Sequence, residues 1–163
     1  MSVNRHQPHV LVLPEDDANS RLANGFLLDP HLSARTIQVL GEAGGWNRVL
    51  ERFLSDHLGG MERYIDRFMV LLIDFDGKEE RLQYVRAKVP GHLQERVFVL
   101  GSLSEPEALR RAIPGSYEEI GLALAQDCRE GTDTTWGHDL LRHNASELDR
   151  LREHVRPILF PSS

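Results

Sequence analysis

Four short apolar runs recur between residues 9 and 100, and segments of helical periodicity separate them. The runs are HVLVL at 9–13, RTIQVL at 35–40, FMVLLI at 68–73 and RVFVL at 96–100. Short runs rich in Val, Ile and Leu, bounded by Pro or Gly, predict strands. The continuous apolarity of 68–73 is typical of a central parallel strand that is buried on both faces.

The intervening segments show the periodicity of helices. Helices are predicted at 17–28, 46–58 and 79–88, and then at 105–112, 116–129 and 139–155. Strands that alternate with helices imply βαβ units and a mostly parallel sheet. We therefore predict an α/β fold with a Rossmann-type four-stranded sheet flanked by helices over 8–103. A helical C-terminal extension over 104–160 would pack on it, giving a single domain over 1–163.

Composition and charge limit the classes of function. The 163 residues are 40% apolar and 27% charged, which suits one well-packed core. No apolar run approaches the roughly 20 residues of a membrane span. The N-terminal residues lack the apolar region of a secretory signal, and Cys128 is the single cysteine. These features predict a cytoplasmic protein with no membrane partner. The net charge of −6 argues against coating nucleic acid through bulk charge, but it is compatible with an acidic metal site.

Carboxylates follow two of the predicted strands. Glu15 comes after the first strand, and Asp74 and Asp76 come after the third. Ligands of open parallel sheets bind beyond the carboxyl ends of the strands. Because alternate side chains of an extended strand point the same way, Asp74 and Asp76 are expected to converge on one cation. Hard divalent ions such as Mg²⁺ or Mn²⁺ prefer these oxygen ligands. Asp16, taken alone, is interpreted as a helix cap.

The segments HVLVLPEDDAN and VLLIDFDG resemble the Toprim domain of topoisomerases, primases, recombination proteins and small nucleases of the phage-defence type. The resemblance covers the predicted α/β part. It implies that Glu15 is a general acid/base or metal ligand, and that Asp74 and Asp76 bind Mg²⁺. Asp16 stands where the family usually has glycine, and the acidic pair further along is reduced to Glu79-Glu80.

Two softer matches extend the resemblance. Asn19 lies one helical turn after the glutamate, where family members carry an acid or polar residue, and it is a candidate substrate contact. Glu107 opens the predicted helix after the fourth strand and is a candidate fourth metal ligand, with Glu105 as the nearby alternative.

The same residues also fit two other families. VLPEDDANSRL resembles the acidic opening of a response-regulator receiver, with Asp74 as phosphoacceptor and Ser102 as the hydroxyl residue. No lysine ends a fifth strand, however, and the separation of Glu15 from Asp74 is long. LLIDFDG resembles the nucleophile motif of haloacid-dehalogenase-type phosphatases, in which Asp74 attacks phosphate and Asp76 is the acid/base. That interpretation leaves Glu15 unexplained. All of these interpretations place Mg²⁺ at Asp74.

Three further residues are candidate substrate contacts. Gly45 lies in a glycine-rich turn before a predicted helix, where backbone N–H groups can bind phosphate, although a tight connection is the favoured interpretation. Arg142 and His143 can likewise contact phosphate, with an exposed helical surface as the favoured alternative. Trp46 is predicted in the core, and an exposed tryptophan there would stack on a base.

We therefore predict a nuclease dependent on Mg²⁺ or Mn²⁺ that acts on nucleic acid, in a defence or repair system. Hydrolysis is favoured over strand passage because no tyrosine carries the signature of a covalent nucleophile. The alternative from another class is a non-catalytic metal-binding module whose helical C-terminal third docks on a partner protein. A partner ATPase or a second copy of this chain is expected under either hypothesis.

Overall fold

The computed structural model describes residues 2–161, and in these residues four parallel strands form the centre of the fold. The strands are β1 (His9–Pro14), β2 (Ile37–Val39), β3 (Arg67–Leu72) and β4 (Val97–Leu100), in the spatial order β2-β1-β3-β4. All pairings are parallel. The predicted α/β fold with a Rossmann-like sheet is confirmed. Positions 1, 162 and 163 of the predicted domain lie outside the described residues.

Helices connect the strands and fill the C-terminal third. In the described residues they are α1 (Asp17–Phe26), α2 (Trp46–Arg52), α3 (Leu58–Arg63), α4 (Glu80–Lys88), α5 (Pro106–Ala112), α6 (Tyr117–Glu130), α7 (Ala145–His154) and α8 (Arg156–Leu159). A capping box starts α6, because Ser116 and Glu119 each accept the other's backbone N–H. Over residues 2–161, no helix combines the length and apolarity needed to cross a membrane.

The alternation of strand side chains divides the interior into two hydrophobic cores. Val10 and Val12 of β1 face a core shared with α1, α6 and α7. Leu11 and Leu13 face the opposite core, which contains residues of α2, α3 and α4. A sheet covered in this way on both faces requires apolar residues at successive positions, which is the pattern of HVLVL, FMVLLI and RVFVL, whereas RTIQVL is interrupted by Gln38. Helices therefore pack against both faces of the sheet.

Two glycines allow α1 and α6 to pack closely on one face of the sheet. A β-carbon at Gly25 would overlap the Glu118 carbonyl oxygen, and one at Gly121 would overlap the Leu22 carbonyl oxygen. The two helices therefore approach each other backbone to backbone. This contact joins the first helix of the α/β part to the helical extension.

Two predicted helices differ in the structure. The segment predicted at 46–58 continues to Arg63 and is interrupted by a π-helical turn at Phe53–His57, in which Phe53 is fully buried. The wider turn keeps Phe53 on the buried side of the helix. The helix predicted at 139–155 begins only at Ala145, after the short 3₁₀ turn Arg142–Asn144.

Side chains from the last helical segment cover the outer edge of β4. Glu147 Oε1 accepts the Val99 N–H at 3.0 Å, and Asn144 exchanges two hydrogen bonds with the backbone of Gly101, at 3.1 and 3.0 Å. Glu147 is 2% exposed and forms ion pairs with Arg86 (2.7 Å) and Arg150 (2.6 Å). Glu147 lies in a helix of mixed charge, but its carboxylate is buried and satisfies the edge of the sheet.

We expect Glu147→Ala to destabilise the fold by about 3–5 kcal/mol, because it leaves Arg86, Arg150 and the Val99 N–H without their shared partner. Chemical denaturation followed by circular dichroism measures the change. Glu153→Ala, on the exposed face of the same helix, is the control and should change the free energy of unfolding by less than about 0.5 kcal/mol. Equal effects of the two substitutions on the free energy of unfolding would contradict the role of Glu147 at the edge of β4.

Candidate functional site

The carboxyl ends of β1 and β3 bring Glu15 and Asp74 together. β1 and β3 are neighbours in the sheet, and the ladder continues past the strands with a bond from Glu15 N–H to Leu72 O (2.9 Å). The Asp74 N–H then donates to Glu15 Oε2 at 2.6 Å. The two acids predicted on neighbouring strand ends therefore share one edge of the sheet.

Asn19 connects the start of α1 to Asp74. Asp16 is the N-cap of α1, and its Oδ1 accepts both the backbone N–H and the side-chain Nδ2–H of Asn19, each at 2.9 Å. Asn19 Nδ2 also donates to Asp74 Oδ1 at 2.9 Å. Asn19 is completely buried. The prediction that Asn19 contacts substrate is therefore wrong for this conformation, because its amide holds Asp74 from inside the protein.

Asp76 does not follow the strand geometry that the Asp-x-Asp spacing suggested. β3 ends at Leu72, and Asp76 has a left-handed backbone with φ of 51°. As a result Asp74 is 7% exposed, whereas the side chain of Asp76 is more than half exposed. The expectation that strand alternation points both carboxylates the same way is wrong here, because the chain already turns at Asp76.

Arg81 is the positively charged side chain beside these acids, and its position there was not predicted. Its Nη1 donates to Asp76 Oδ2 and to the Asp74 carbonyl oxygen, each at 2.8 Å. Its guanidinium lies 4.3 Å from the ring centroid of Trp46, which stacks it in place. A single arginine in the first turns of a charged helix carries no distinctive sequence signal.

Burial and crowding of charge raise the pKa of two carboxyl groups. Burial is the main cause that raises the pKa of Asp74 to about 7, and the neighbouring charges of Glu15, Asp16 and Asp76 add to it, against the hydrogen bond from Asn19. Burial also raises the pKa of Glu15, against the hydrogen bond from the Asp74 N–H. Asp74 therefore retains its proton in part at neutral pH.

The oxygen donors at this edge suit a hard divalent cation, but their spacing is wider than a shared site requires. Within residues 2–161, no group of three Asp, Glu, His or Cys side chains lies close enough to hold one metal ion. One oxygen of Glu15 is bonded to the Asp74 N–H, and one oxygen of Asp76 is paired with Arg81. The Mg²⁺ or Mn²⁺ site therefore stays a prediction, supported by the chemistry of its donors.

Two further predicted site residues are Glu107, a candidate metal ligand, and Gly45, a candidate phosphate contact. Glu107 is exposed on α5, where it lines a shallow surface pocket with Arg110 and Tyr117, and it joins no metal-binding group among the described residues. Gly45 precedes the short helix α2, and its neighbour Gly44 donates its N–H to the Glu15 carbonyl oxygen at 2.8 Å. The glycine turn therefore positions the backbone of Glu15, as a tight connection.

Arg142 and His143 lie in the 3₁₀ turn that precedes α7, and they differ in exposure. Arg142 is exposed and pairs with Asp139 at 3.2 Å. The ring of His143 meets the ring of Phe75 edge-on, with 4.7 Å between centroids. Burial lowers the pKa of His143. His143 is thus half-buried against the Asp-Phe-Asp loop, and its contact with phosphate stays a prediction.

Comparisons of the chain with models of protein families, with curated proteins and with solved structures found no match. The resemblance to the Toprim domain therefore stays a prediction, and the function is inferred from the geometry of the site.

The raised pKa of Asp74 predicts a pH-dependent stability. In the unfolded chain Asp74 ionises near its ordinary pKa of 3.8, and in the folded protein it ionises at about 7. Its contribution to the free energy of unfolding is therefore greatest below pH 3.8, declines as the pH rises to about 7, and stays low above it. We expect Asp74→Asn to raise Tm relative to the wild type at pH 8, by several °C, and much less at pH 4.

Differential scanning calorimetry across this pH range measures the difference in Tm between Asp74→Asn and the wild type. Asp149→Asn, an exposed acid on α7, is the control and should show no such trend. A difference that is the same at every pH would contradict the burial of an ionisable Asp74.

Proposed function

We propose that this edge of the sheet carries out divalent-metal-dependent hydrolysis of phosphodiesters in nucleic acid. The observation that carries the proposal is Asp74, a buried carboxyl group with a pKa of about 7 that has Glu15 and Asp76 beside it. Perturbed carboxyl groups at the carboxyl edge of a parallel sheet mark candidate catalytic sites. A bound cation would favour deprotonation of Asp74 and offset the repulsion among the three acids.

The residues of the site have separate tasks in this mechanism. Asp74 and Asp76 would hold the cation, and Glu15 would either complete its ligands or accept a proton from the attacking water. A bound Mg²⁺ or Mn²⁺ supplies charge that polarises the phosphate and stabilises its oxygens in the transition state. Arg81, which stacks on Trp46 and pairs with Asp76, would supply a positive charge to a phosphate bound beside Asp76. Asn19 positions Asp74 through the hydrogen bond that its side-chain amide donates to the carboxyl group.

A row of aromatic and cationic side chains beside the acids supports nucleic acid as the substrate. From Asp76 it runs through Arg81 and Trp46 to Tyr84, whose ring is edge-on to Trp46 at 5.8 Å. Lys88 lies 5.4 Å from the ring centroid of Tyr84. Tyr84 is 51% exposed. Tyr84 presents the exposed ring of this row, whereas Trp46 is partly buried and Arg81 is largely buried. An exposed aromatic ring beside a cation such as Lys88 binds unpaired bases by stacking and phosphates by charge.

A non-catalytic module is the second candidate, and a specific observation favours it. Glu15 and Asp76 already have partners in the Asp74 N–H and Arg81, and no three described acids share a metal-binding position. In this function the acids stabilise the fold. The helical C-terminal extension docks on a partner such as an ATPase or a second copy of the chain. The receiver and phosphatase hypotheses differ from both in requiring a phosphorylated Asp74.

Cleavage assays separate these functions. Supercoiled plasmid, single-stranded DNA and RNA are incubated with the protein and Mg²⁺ or Mn²⁺, and products are resolved on gels. We expect cleavage by the wild type, a loss of about 100-fold or more in Asp74→Ala and Asp76→Ala, and no change in the control Asp149→Asn. Absence of cleavage by the wild type on all three substrates favours the module. An acyl-phosphate formed at Asp74 with a small phosphodonor favours the receiver or phosphatase hypothesis.

Binding without metal tests the aromatic row on its own. We expect Tyr84→Ala to weaken the affinity for single-stranded DNA at least about fivefold in the presence of EDTA, because one stacked base is lost. Tyr84→Phe keeps the ring and should bind as the wild type does. Fluorescence anisotropy of a labelled oligonucleotide gives both affinities, and equal affinities of the Ala and Phe variants would argue against stacking at this position.

A further inference from the structure

The amino ends of β1 and β3 meet at the edge of the sheet that lies opposite the acids. His9 and Arg67, the first residues of these strands, are partners in the ladder. Each strand has 6 residues, and a rise of about 3.3 Å per residue puts this edge about 20 Å from the acids. The two edges are therefore separate places on the molecule.

Arg67 is a cation buried at this amino edge. It is 9% exposed, and its Nε donates to His9 Nε2 at 2.9 Å. His9 is fully buried, and its Nδ1 donates to the Gln7 carbonyl oxygen at 2.7 Å. Burial lowers the pKa of His9, so the ring is neutral and accepts the hydrogen bond from the guanidinium. Arg67 is therefore held in place by a neutral residue.

Arg67 differs from other arginines of this protein in lacking an acid. Three others with largely buried side chains each contact a carboxylate: Arg81, Arg86 and Arg129. Within residues 2–161, Arg67 forms no ion pair with a carboxylate. A buried charge is costly unless a counterion compensates it. The position of Arg67 therefore calls for an anion.

Two exposed arginines, Arg5 and Arg63, share the ring of Tyr64 with Arg67. The guanidinium carbons of Arg67 and Arg63 lie 4.6 and 5.3 Å from the centroid of the Tyr64 ring. The Arg5 guanidinium beside the Tyr64 hydroxyl lowers the pKa of Tyr64. Burial lowers the pKa of Arg67, and the charge of Arg5 adds to this effect. Three guanidinium groups are thus gathered around one ring.

The groups nearby leave this positive charge in excess. Arg96 adds a fourth guanidinium, which donates to the carbonyl oxygens of Met61, Tyr64 and Arg67. Of the two acids in 62–66, Glu62 pairs with His92 at 2.9 Å, and Asp66 is exposed. These acids therefore do not balance the charge of the arginines.

We propose that Arg5, Arg63 and Arg67 form a binding site for a phosphate group, as free phosphate or as a small phosphate monoester. Guanidinium groups bind phosphate oxygens through paired, charge-assisted hydrogen bonds. A phosphate monoester carries about two negative charges at neutral pH, so it suits three arginines better than a carboxylate or a phosphodiester, which carry one. Because Arg5 and Arg63 are exposed and must be ordered on binding, we expect an affinity in the millimolar range. The proposal does not depend on the chemistry of the acids.

The probes are inorganic phosphate and ribose 5-phosphate, each titrated into the full chain with isotope-labelled arginine at constant ionic strength. We expect a saturable NMR shift of the Arg67 Nε–H, and none at the backbone N–H of Arg48, an exposed residue of α2. Tighter binding of ribose 5-phosphate would identify a monoester as the ligand, and otherwise the free ion is the ligand. Absence of a saturable shift with both probes would overturn the proposal. A shift produced only by single-stranded DNA without terminal phosphates would also overturn it.

Two neighbouring glycines of α3 provide matched variants that keep every charge. A β-carbon at Gly60 would lie 2.5 Å from Arg67 Nη1, whereas one at Gly59 meets no atom within 4 Å. Alanine is favourable in a helix, and circular dichroism checks that both variants fold. We expect Gly60→Ala to displace the guanidinium and weaken phosphate binding at least about fivefold, and Gly59→Ala to bind as the wild type does. Equal affinities of the two variants would show that Arg67 does not bind the phosphate, which would overturn the proposed site.

The exposed arginines are tested by removing one charge at a time. Arg5→Gln and Arg63→Gln should each weaken phosphate binding about threefold or more, because each removes one charge-assisted contact. Arg48→Gln removes the same charge from α2 and should leave the affinity unchanged. Equal weakening in all three variants would indicate a general effect of net charge and would contradict a site at Tyr64.

Discussion

A parallel sheet covered on both faces must satisfy every backbone N–H and C=O at its ends and edges without help from water, and this constraint organises the present fold. Charged side chains meet it at several places. Glu15 accepts the Asp74 N–H beyond β3, Arg81 donates to the Asp74 carbonyl, and Glu147 accepts the Val99 N–H at the edge of β4. Arg96 donates to three carbonyls, those of Met61, Tyr64 and Arg67. A few charged side chains of this protein are therefore part of its interior structure.

The burial of charged side chains explains why some features could be predicted from the sequence and others could not. The strands are read from continuous apolar runs, because only a doubly buried strand requires them, and the position of Glu15 beside Asp74 follows from the order of the strands. Arg81 and Glu147 could not be recognised, since each lies in a helix of mixed charge that resembles a solvated surface. The conformation of Asp76 was missed for another reason: the Asp-x-Asp spacing indicates alternation only while the chain remains extended, and β3 ends at Leu72.

The need to satisfy backbone groups of the sheet also affects the chemistry proposed for the acids. Glu15 is both a backbone acceptor and a candidate catalytic group, and Asp76 is both the partner of Arg81 and a candidate metal ligand. A cation that draws these oxygens away would compete with bonds that support the loop after β3. The raised pKa of Asp74 favours such an exchange, because the crowded acids gain from added positive charge. Under the proposed function, stability and chemistry would therefore compete at this edge, as is common at functional sites.

The contact between Glu147 and β4 also limits how this architecture can vary. In the described residues β4 pairs with β3 alone, and its other side is occupied by the side chains of Asn144 and Glu147. A helix thus stands where a further strand would add in a larger sheet of this type. The sheet is closed to strand addition on that side, both from its own chain and from another molecule, which protects it from edge-to-edge association.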